Sequence, residues 1–357
     1  MPVDLTAVND TKLEELQGKV VSDVAGSLGI LLAYMGDQLD LYSALAEICP
    51  ASSDELAAST GLKERYIREW LSANAAGGYV SYDPDTQKFT MSPEQALVFA
   101  AEGHPACMQG FFQAVMSTYA DEPKATGIFR SGEGLPWGDH STCLFCGTER
   151  FFRPMYAANL IDSWLPALNG VKAKLEAGAK VADVGCGHGS STILMAKAFP
   201  NSTFHGFDFH GPSIDHARQR ARDAGVARNT IFEVATAKAY PGENYDLVAI
   251  FDALHDMGDP VGACRHVVES LHSDGTFMLV EPLAGDSLEE NLHPLGQIYY
   301  SFSTTVCVPN SVSQEVGLAL GAQAGEKRLT EVLKEGGFDQ VRRAAETHTN
   351  IVLEARA

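Results

Sequence analysis

A cluster of glycines after a short apolar run is the stretch of this chain best suited to binding a ligand. Residues 181–189 read VADVGCGHG, and SSTILMAK follows them. An apolar run that stops at alternating glycines and resumes with helix-forming residues predicts a strand, a sharp turn and a helix N-terminus. Glycine permits close approach and positive φ, and free N–H groups at a helix N-terminus point at a bound nucleotide. The sequence therefore predicts a nucleotide-type cofactor site, with a tight turn that binds nothing as the structural alternative.

A carboxylate about twenty residues beyond the glycines completes the predicted cofactor site. Residues 201–208 read NSTFHGFD and predict a second strand that ends in Asp208. An acid at this position is the usual partner of ribose hydroxyls, because a carboxylate accepts two hydrogen bonds from a diol. A solvated loop acid is the alternative for Asp208 taken alone, but its pairing with the glycine turn favours the ribose ligand.

A histidine after the fourth predicted strand is the candidate for proton transfer. Residues 251–260 read FDALHDMGDP, which places His255 just past the carboxyl end of that strand, facing the cofactor. Histidine is the side chain whose ordinary pKa best suits a base near neutral pH. Such a base would remove the proton of a hydroxyl acceptor during group transfer. A histidine that caps the next helix is the structural alternative.

Alternating strand and helix patterns from about residue 178 must position these residues. The predicted strands are 180–184, 203–208, 230–235, 246–251 and 276–281, and helical patterns at 190–198, 212–224 and 262–271 lie between them. This alternation predicts a parallel sheet wrapped by helices, and residues 338–357 predict a closing antiparallel hairpin. The stretch at about 285–325 predicts a lid insertion of helix and loop over the carboxyl ends of the strands.

The first hundred residues predict a different domain. Ser52-Ser-Asp-Glu55 is a capping-box pattern that opens a short helix, and Gly61 ends it. A second helix is predicted over residues 62–76, and residues 79–91 alternate like a two-stranded wing. Helix, turn, helix and hairpin in this order predict a winged helix.

Two flanking regions are helical in pattern. Residues 13–45 are rich in alanine, leucine and glycine and predict two helices, with a bend at Gly36-Asp37. Residues 101–177 are unusually aromatic and predict a helical connector that contributes to a substrate lid. The predicted domains are therefore 1–100, 101–177 and 178–357.

The charge of the winged helix argues against nucleic acid as a partner. Its second helix carries Lys63, Arg65 and Arg68 against Glu64 and Glu69, and the whole chain has a formal net charge of −20. Phosphate contact needs a clustered basic surface. The sequence therefore argues against DNA binding and favours a dimerisation or lid role.

Composition limits the class of protein. At 357 residues and 45% hydrophobic content the chain predicts two globular domains. No apolar run reaches the length of a membrane span, and the start MPVDLTAVND shows no signal peptide. Seven scattered cysteines favour reduced thiols in the cytoplasm. Cys143 and Cys146 form one C-x-x-C without a second pair, so no metal site is predicted.

The motifs resemble those of a known family. The form acidic-x-G-x-G-x-G from Asp183 to Gly189 resembles motif I of class I S-adenosylmethionine (SAM)-dependent methyltransferases. Leu254-His255-Asp256 is similar to the Leu-His-Asp or Cys-His-Asp of plant-type small-molecule O-methyltransferases, which also have an N-terminal winged-helix dimerisation domain. The chain as a whole is similar to bacterial methyltransferases of the mycobacterial Rv2258c type. The resemblance implies an α/β fold, with a Rossmann-like seven-stranded methyltransferase sheet behind an all-helical or winged-helix domain.

The resemblance also implies roles for individual residues. His255 would be the general base and Glu281 the first of two flanking glutamates; the second falls on Gln323, a neutral amide that supports an imidazolium less well than a carboxylate. Glycines of the turn would approach the methionine part of SAM, Asp208 the ribose, and Phe209 the adenine. The cofactor-binding residues expected in full are Asp183, Gly185, Cys186, Gly187, Asp208, Phe209, Thr236, Ala237, Phe251 and Asp252.

The function expected is methyl transfer from SAM to a small aromatic or apolar molecule, with a hydroxyl acceptor favoured. Two alternatives remain at this stage. One is a winged-helix transcriptional regulator. The other is a sensor that binds SAM without turnover, which the neutral Gln323 favours. A homodimer is expected, and a membrane is not.

Overall fold

The computed structural model describes residues 3–357, which form two compact units. The first consists of residues 3–116 and 146–151, and the second of residues 117–145 and 152–357. The predicted domain boundaries at residues 100 and 177 stay predictions.

The N-terminal part of the chain has the predicted order of helix, turn, helix and hairpin. Its elements are α1 Asp10–Gln38, α2 Leu41–Ile48, α3 Ser53–Thr60, α4 Glu64–Ala76, β1 Ser81–Asp83, β2 Lys88–Thr90, α5 Pro93–Phe99 and α6 Gln109–Ala120. The capping box is confirmed, since Ser52 Oγ accepts the Glu55 N–H at 3.2 Å and the Glu55 carboxylate accepts the Ser52 N–H at 2.7 Å. Gly61 ends α3 with a φ of 70°. The antiparallel pair of β1 and β2 is the wing.

The predicted bend at Gly36-Asp37 is wrong. α1 continues through both residues to Gln38, and the chain turns at Asp40, which has a φ of 54°. Gly36 is required for close packing instead, because a Cβ at this position would lie only 2.5 Å from the ring of Trp70. The glycine therefore allows α1 to approach the core of this unit closely.

One face of α1 is apolar and exposed. Leu16, Val20, Val24, Leu28, Leu31 and Met35 recur every three or four residues and are between 36% and 59% exposed. Such spacing places them in one stripe along the helix; we call these six residues the α1 stripe. By length and composition alone, α1 is also the one helix among residues 3–357 that could cross a membrane, although core helices of soluble proteins pass the same test.

The second unit is built on a seven-stranded sheet. Its strands are β3 Lys180–Val184, β4 Thr203–Asp208, β5 Thr230–Val234, β6 Tyr245–Phe251, β7 Leu271–Pro282, β8 Gln340–Glu346 and β9 Asn350–Arg356. The order across the sheet is β5-β4-β3-β6-β7-β9-β8, with β9 antiparallel to both neighbours. The five predicted parallel strands and the closing hairpin are confirmed. After β3 the chain adds β4 and β5 on one side of that strand, and it then adds β6 on the other side. A ligand crevice is expected at such a switch point, at the carboxyl ends of β3 and β6.

Helices cover both faces of this sheet. The α-helices that follow α6 in the chain are α7 Glu122–Ser131, α8 Thr142–Asn159, α9 Leu165–Ala167, α10 Val171–Ala177, α11 Ser190–Ala198, α12 Gly211–Asp223, α13 Pro260–Ser270, α14 Pro294–Phe302, α15 Val308–Val312 and α16 Gly325–Glu335. Buried residues alternate along the strands between two clusters: Leu247 and Ala249 pack with α11 and α12, whereas Val248 and Ile250 pack with α13 and α16. This period of two is that of a strand buried on both sides.

The predicted lid insertion contains α14 and α15, joined by a π-helical turn at Ser303–Cys307. Ser311 Oγ donates to the Met257 carbonyl at 2.8 Å, and Asn310 Nδ2 donates to the Asp256 carbonyl at 3.3 Å. The insertion is thereby fastened to the loop after β6. It lies beside the carboxyl end of that strand, and its role as a lid stays a prediction.

Candidate active site

The turn after β3 has a left-handed backbone at each glycine. Gly185, Gly187 and Gly189 have φ of 77°, 50° and 76°, a region that residues with a Cβ rarely adopt. A Cβ on Gly189 would lie 2.9 Å from the ring of Phe232, whereas a Cβ on Gly187 would meet no atom within 4 Å. Gly189 therefore packs against the protein, and Gly187 borders open space.

Asp183 ties the first turn of α11 back to β3. Its Oδ2 accepts hydrogen bonds from Ser191 Oγ at 2.6 Å and from Thr192 Oγ1 at 2.5 Å. Burial raises the pKa of Asp183 to about 6, although both hydroxyls oppose the rise. Its Oδ1 is buried without a hydrogen-bond partner among the described residues, and Cys186 is buried in the same turn. A buried polar atom of this kind is available to a polar group of a ligand.

Asp208 at the end of β4 is joined to the glycine turn. Its Oδ2 accepts the N–H of Gly187 at 2.9 Å, and its Oδ1 accepts the N–H of His210 at 2.8 Å. Burial raises the pKa of Asp208, and the two N–H donors lower it. Each carboxylate oxygen keeps acceptor capacity after one hydrogen bond, so both can accept ribose hydroxyls.

The loop after β5 begins beside Asp208. The Ala235 N–H donates to the Asp208 carbonyl at 3.0 Å, which brings the following Thr236 and Ala237 to the same edge of the sheet. Thr236 is exposed, Ala237 is partly buried, and Phe209 is 50% exposed. The structure therefore gathers these residues around Asp208, while their contacts with adenine stay predictions.

Asp252, after β6, has a strained backbone and a buried carboxyl group. Its φ is 48°, which costs energy for a residue other than glycine. Tyr156 OH donates to its Oδ2 at 2.9 Å, and Asn350 Nδ2 donates to its Oδ1 at 2.7 Å. Burial, followed by the charge of Glu281, raises the pKa of Asp252 to about 7. Phe251 is buried with its ring 5.3 Å from that of Tyr156.

His255 and Glu281 form a buried pair. The imidazole Nδ1 contacts Glu281 Oε2, and Glu281 Oε1 accepts the Leu254 N–H at 2.9 Å. The imidazole Nε2 lies 3.3 Å from Asp256 Oδ1. Burial by itself would lower the pKa of His255, but the carboxylates of Glu281 and Asp256 outweigh it and raise that pKa well above its ordinary value.

A third side chain joins this pair from the lid insertion. One nitrogen of His255, one oxygen of Asp256 and the sulfur of Cys307 lie within 4.8 Å of one another. Burial, with the charge of Asp256, raises the pKa of Cys307 to about 11, so the thiol is protonated at neutral pH. The expectation that the chain holds no metal stays a prediction.

The carboxylates beside His255 differ from those that the resemblance implies. Gln323, at the position of the second glutamate, accepts a hydrogen bond from the Ser303 hydroxyl, and Asp256 acts on the imidazole instead. Asp256 belongs to the Leu254-His255-Asp256 motif, but the resemblance assigns it no role. Its position next to His255 in the sequence is a signal that could have indicated one. Tyr156 and Cys307 lie far away in sequence, and no motif marked them.

Comparison with known proteins identifies the two parts of the chain. Residues 175–337 match the family profile described as a methyltransferase domain, and residues 26–100 match that of an Rv2258c-like winged HTH domain. The 27-O-demethylrifamycin SV methyltransferase of Amycolatopsis mediterranei is 32% identical over 156 residues, which are 42% of this chain and 52% of that protein. A ubiquinone biosynthesis O-methyltransferase of Actinobacillus pleuropneumoniae is 34% identical over 133 residues, 35% of this chain and 54% of that protein. The chain thus spans about half the length of these curated relatives.

Solved structures resemble the chain over nearly its whole length. A putative O-methyltransferase from Nostoc punctiforme superposes with a TM-score of 0.72 at 18% identity, covering 96% of this chain and 98% of that one. Human N-acetylserotonin methyltransferase, solved in complex with SAM, gives 0.70 at 14% identity and covers 99% of each chain. At these identities the likeness shows the fold.

Residues 175–337 thus carry a methyltransferase domain and residues 26–100 an Rv2258c-like winged HTH domain, and the fold agrees with that of solved methyltransferases. The cofactor of such domains is SAM, and its binding by this chain is part of the proposal below. The residues present fit that group: Gly187 borders open space, Asp208 has acceptors for a diol, and Asp183 Oδ1 is unpartnered. The transcriptional-regulator alternative is not favoured.

Proposed function

We propose that the protein transfers the methyl group of SAM to a hydroxyl of a small aromatic or apolar molecule, with His255 as general base. The observation that carries the proposal is the buried pair of His255 and Glu281 directly after β6, at the sheet edge that also holds the glycine turn. Glu281 takes the Nδ1 side of the imidazole. Nε2, which lies 3.3 Å from Asp256 Oδ1, is the atom proposed to receive the proton.

Each residue of the proposed site has a separate task. Bound SAM supplies a methyl group made electrophilic by the adjacent sulfonium. Asp208 holds the ribose hydroxyls and the glycine turn leaves room for the rest of the cofactor, which fixes its position relative to the acceptor. The lid insertion excludes water, and His255 Nε2 takes the proton of the acceptor hydroxyl. Glu281 stabilises the imidazolium that forms, as a buried carboxylate does in other acid–base pairs.

The names of the relatives support a small-molecule substrate. The curated relatives are named for methylation of a rifamycin and for ubiquinone biosynthesis, which favours an organic small-molecule acceptor here.

The test is turnover of hydroxylated small molecules with SAM, measured as S-adenosylhomocysteine release. His255→Ala is expected to lower kcat by about 10²–10⁴-fold, the usual contribution of general acid–base catalysis. The matched control is His272→Ala, because His272 also pairs with a carboxylate, Asp274, but is exposed. Full activity of His255→Ala would rule out a required base. SAM binding without turnover of any acceptor would instead favour the sensor alternative.

We also propose that the first unit mediates homodimerisation and that the protein works in the cytoplasm. The α1 stripe offers an apolar face for a second copy. Arg65 and Arg68 on α4 are ion-paired with Glu69 and Glu64, which leaves little free positive charge for DNA phosphates. The odd number of cysteines, seven, favours a reducing compartment.

The dimer is tested by analytical ultracentrifugation. A Val24→Glu, Leu28→Glu double variant is expected to sediment as a monomer, because charges on both copies would be buried. Ser22→Glu, on another face of α1, should leave the dimer intact. A wild-type protein that sediments as a monomer at micromolar concentration would contradict the proposed dimer. Salt-dependent binding of DNA fragments would support the transcriptional-regulator alternative.

A further inference from the structure

A second histidine in this unit is oriented by a carboxylate in the same way as His255. His140 follows the 3-10 turn Trp137–Asp139, and its side chain is 1% exposed. Its Nδ1 lies 3.2 Å from Asp121 Oδ2, which also accepts the Ser141 N–H at 2.7 Å. A carboxylate can only accept, so the Nδ1 of His140 donates, and in the neutral ring Nε2 then presents a lone pair.

The Nε2 of His140 has no hydrogen-bond partner in the part of the chain that the structure describes. It is one of few buried side-chain polar atoms in that condition among residues 3–357, and Asp256 Oδ1 is another. Nearly all buried polar atoms in proteins are hydrogen-bonded, so each exception needs an explanation. The charge of Asp256 acts on both His140 and His255. Asp256 Oδ1 lies 3.3 Å from His255 Nε2, so the unpartnered Nε2 of His140 belongs to the neighbourhood of the proposed base.

The segment before His140 is hydrogen-bonded to the lid insertion, which is itself bonded to the loop that carries Asp256. The Trp137 N–H donates to Asn310 Oδ1 at 3.0 Å, and Asn310 Nδ2 donates to the Asp256 carbonyl at 3.3 Å. The Leu135 N–H donates to the Pro309 carbonyl at 2.9 Å. A side chain carried on a segment with these bonds has little freedom to turn away. Its orientation is thus set before any ligand arrives.

We propose that His140 Nε2 forms a polar subsite that accepts a hydrogen-bond donor of the substrate beside the hydroxyl that is methylated. The inference rests on the proposed function and adds a substrate class to it. The acceptor molecule carries two neighbouring polar groups, such as a vicinal diol or a hydroxyl next to an amine. His140 is a specificity-determining residue in this reaction, and Asp121 positions it.

The two histidines are driven to opposite charge states. Burial lowers the pKa of His140, and the hydrogen bond and charge of Asp121 oppose this only in part. His140 is therefore neutral and an acceptor at neutral pH, whereas the carboxylates around His255 raise the pKa of that ring. Groups whose surroundings separate their pKa values in this way usually have different tasks in one site.

The experiment compares three probes in which hydroxyl groups are replaced in turn by methoxy groups: catechol, guaiacol and veratrole, with two, one and no hydroxyl groups. Each is titrated calorimetrically into the full-length protein saturated with S-adenosylhomocysteine. Wild type is expected to bind catechol about tenfold more tightly than veratrole, the worth of roughly one hydrogen bond. His140→Phe keeps a ring of similar size without an acceptor, and should abolish the preference.

Two further variants separate recognition from packing. His140→Gln places an amide oxygen near the position of Nε2 and should keep part of the catechol preference. Trp137→Phe disturbs the packing of the same segment, since the two rings are 6.3 Å apart, and should keep all of it. If His140→Phe does not fold, the comparison of these two variants decides the question.

The outcomes distinguish this inference from the proposed function. An unchanged catechol preference in His140→Phe, or a wild type that binds the three probes equally or not at all, overturns the subsite. The affinity for S-adenosylhomocysteine is measured beforehand in every variant and should not change. If wild type itself fails to bind S-adenosylhomocysteine, the proposed function falls and the subsite falls with it.

Discussion

The two edges of the candidate site are built in different ways. The edge that we propose binds SAM, called the cofactor edge, consists of the glycine turn after β3 and Asp208 after β4, two consecutive units of the chain joined by the hydrogen bond from the Gly187 N–H. The acceptor edge brings His255 together with Glu281 on β7, Cys307 of the lid insertion and, by our proposal, His140. One edge is local in sequence and the other is assembled from four separate segments.

The difference teaches how each edge recognises its ligand. At the cofactor edge the essential features are backbone shape, N–H donors and one carboxylate, and these depend little on the rest of the protein. At the acceptor edge the essential features are buried titratable groups that change one another's pKa values. Substitutions at the first edge should alter cofactor affinity, and substitutions at the second should alter turnover and its pH dependence.

The largest expected effect is at the acceptor edge. Glu281→Gln keeps the size of the side chain but removes the charge that orients and stabilises the imidazole. We expect kcat to fall by about 10²–10³-fold, within the range for a lost acid–base component, while the dissociation constant for SAM stays unchanged. Steady-state kinetics and calorimetry on the same preparation measure both. Weaker SAM binding with an unaltered kcat would break the division between the two edges.

At the cofactor edge, Asp208→Ala should act in the opposite manner. Losing two charge-assisted hydrogen bonds to the ribose is expected to weaken SAM binding by about 100-fold or more. Asp215→Ala is the control, because Asp215 lies on the following helix and is an exposed partner of Arg218. Calorimetry that finds equal SAM affinity in wild type and Asp208→Ala would remove the ribose contact.

The pH dependence of turnover should report the charges around His255. Because the pKa of His255 is raised, the neutral base is present only above that pKa. We therefore expect kcat/KM to rise with pH along an ascending limb whose midpoint lies above the ordinary pKa range of histidine. Asp256→Asn removes one of the charges that raise the pKa, so the limb should move to lower pH by about one unit. By linkage, the stability that the pair contributes is complete below the unfolded pKa and is lost as pH rises through the folded one. A limb at the same pH in both proteins would show that another group titrates.

The smallest expected effect separates two glycines of one turn. Gly189→Ala combines positive φ with a Cβ 2.9 Å from the Phe232 ring, and should lower the free energy of unfolding by about 2–4 kcal/mol. Gly187→Ala carries only the backbone cost of about 1–2 kcal/mol, and should mainly weaken SAM binding because its Cβ enters open space. Thermal denaturation and calorimetry test the pair. Equal destabilisation with equal SAM affinity would show that the space beside Gly187 is not the cofactor's.

Sequence reasoning reached most of the fold and part of the site. The strands of the sheet were predictable because apolar runs, glycines and helix caps are local signals, and the capping box at Ser52 formed as its spacing requires. The bend at Gly36 was wrong for a tertiary reason, because that glycine makes room for Trp70. The second carboxylate beside His255 was sought at Gln323, whereas Asp256 occupies that role through the conformation of the loop after β6.

The sequence by itself determined the cofactor edge, since a glycine turn and an acid on successive strands carry their own backbone conformation and spacing. Only the tertiary structure decided the acceptor edge. Asp121, His140, Glu281 and Cys307 have no mutual pattern along the chain, and they acquire their hydrogen bonds and contacts only when folding buries them in the region of His255 and Asp256. Burial in a low-dielectric interior turns ordinary side chains into interacting ones, and that is a property of the packed molecule.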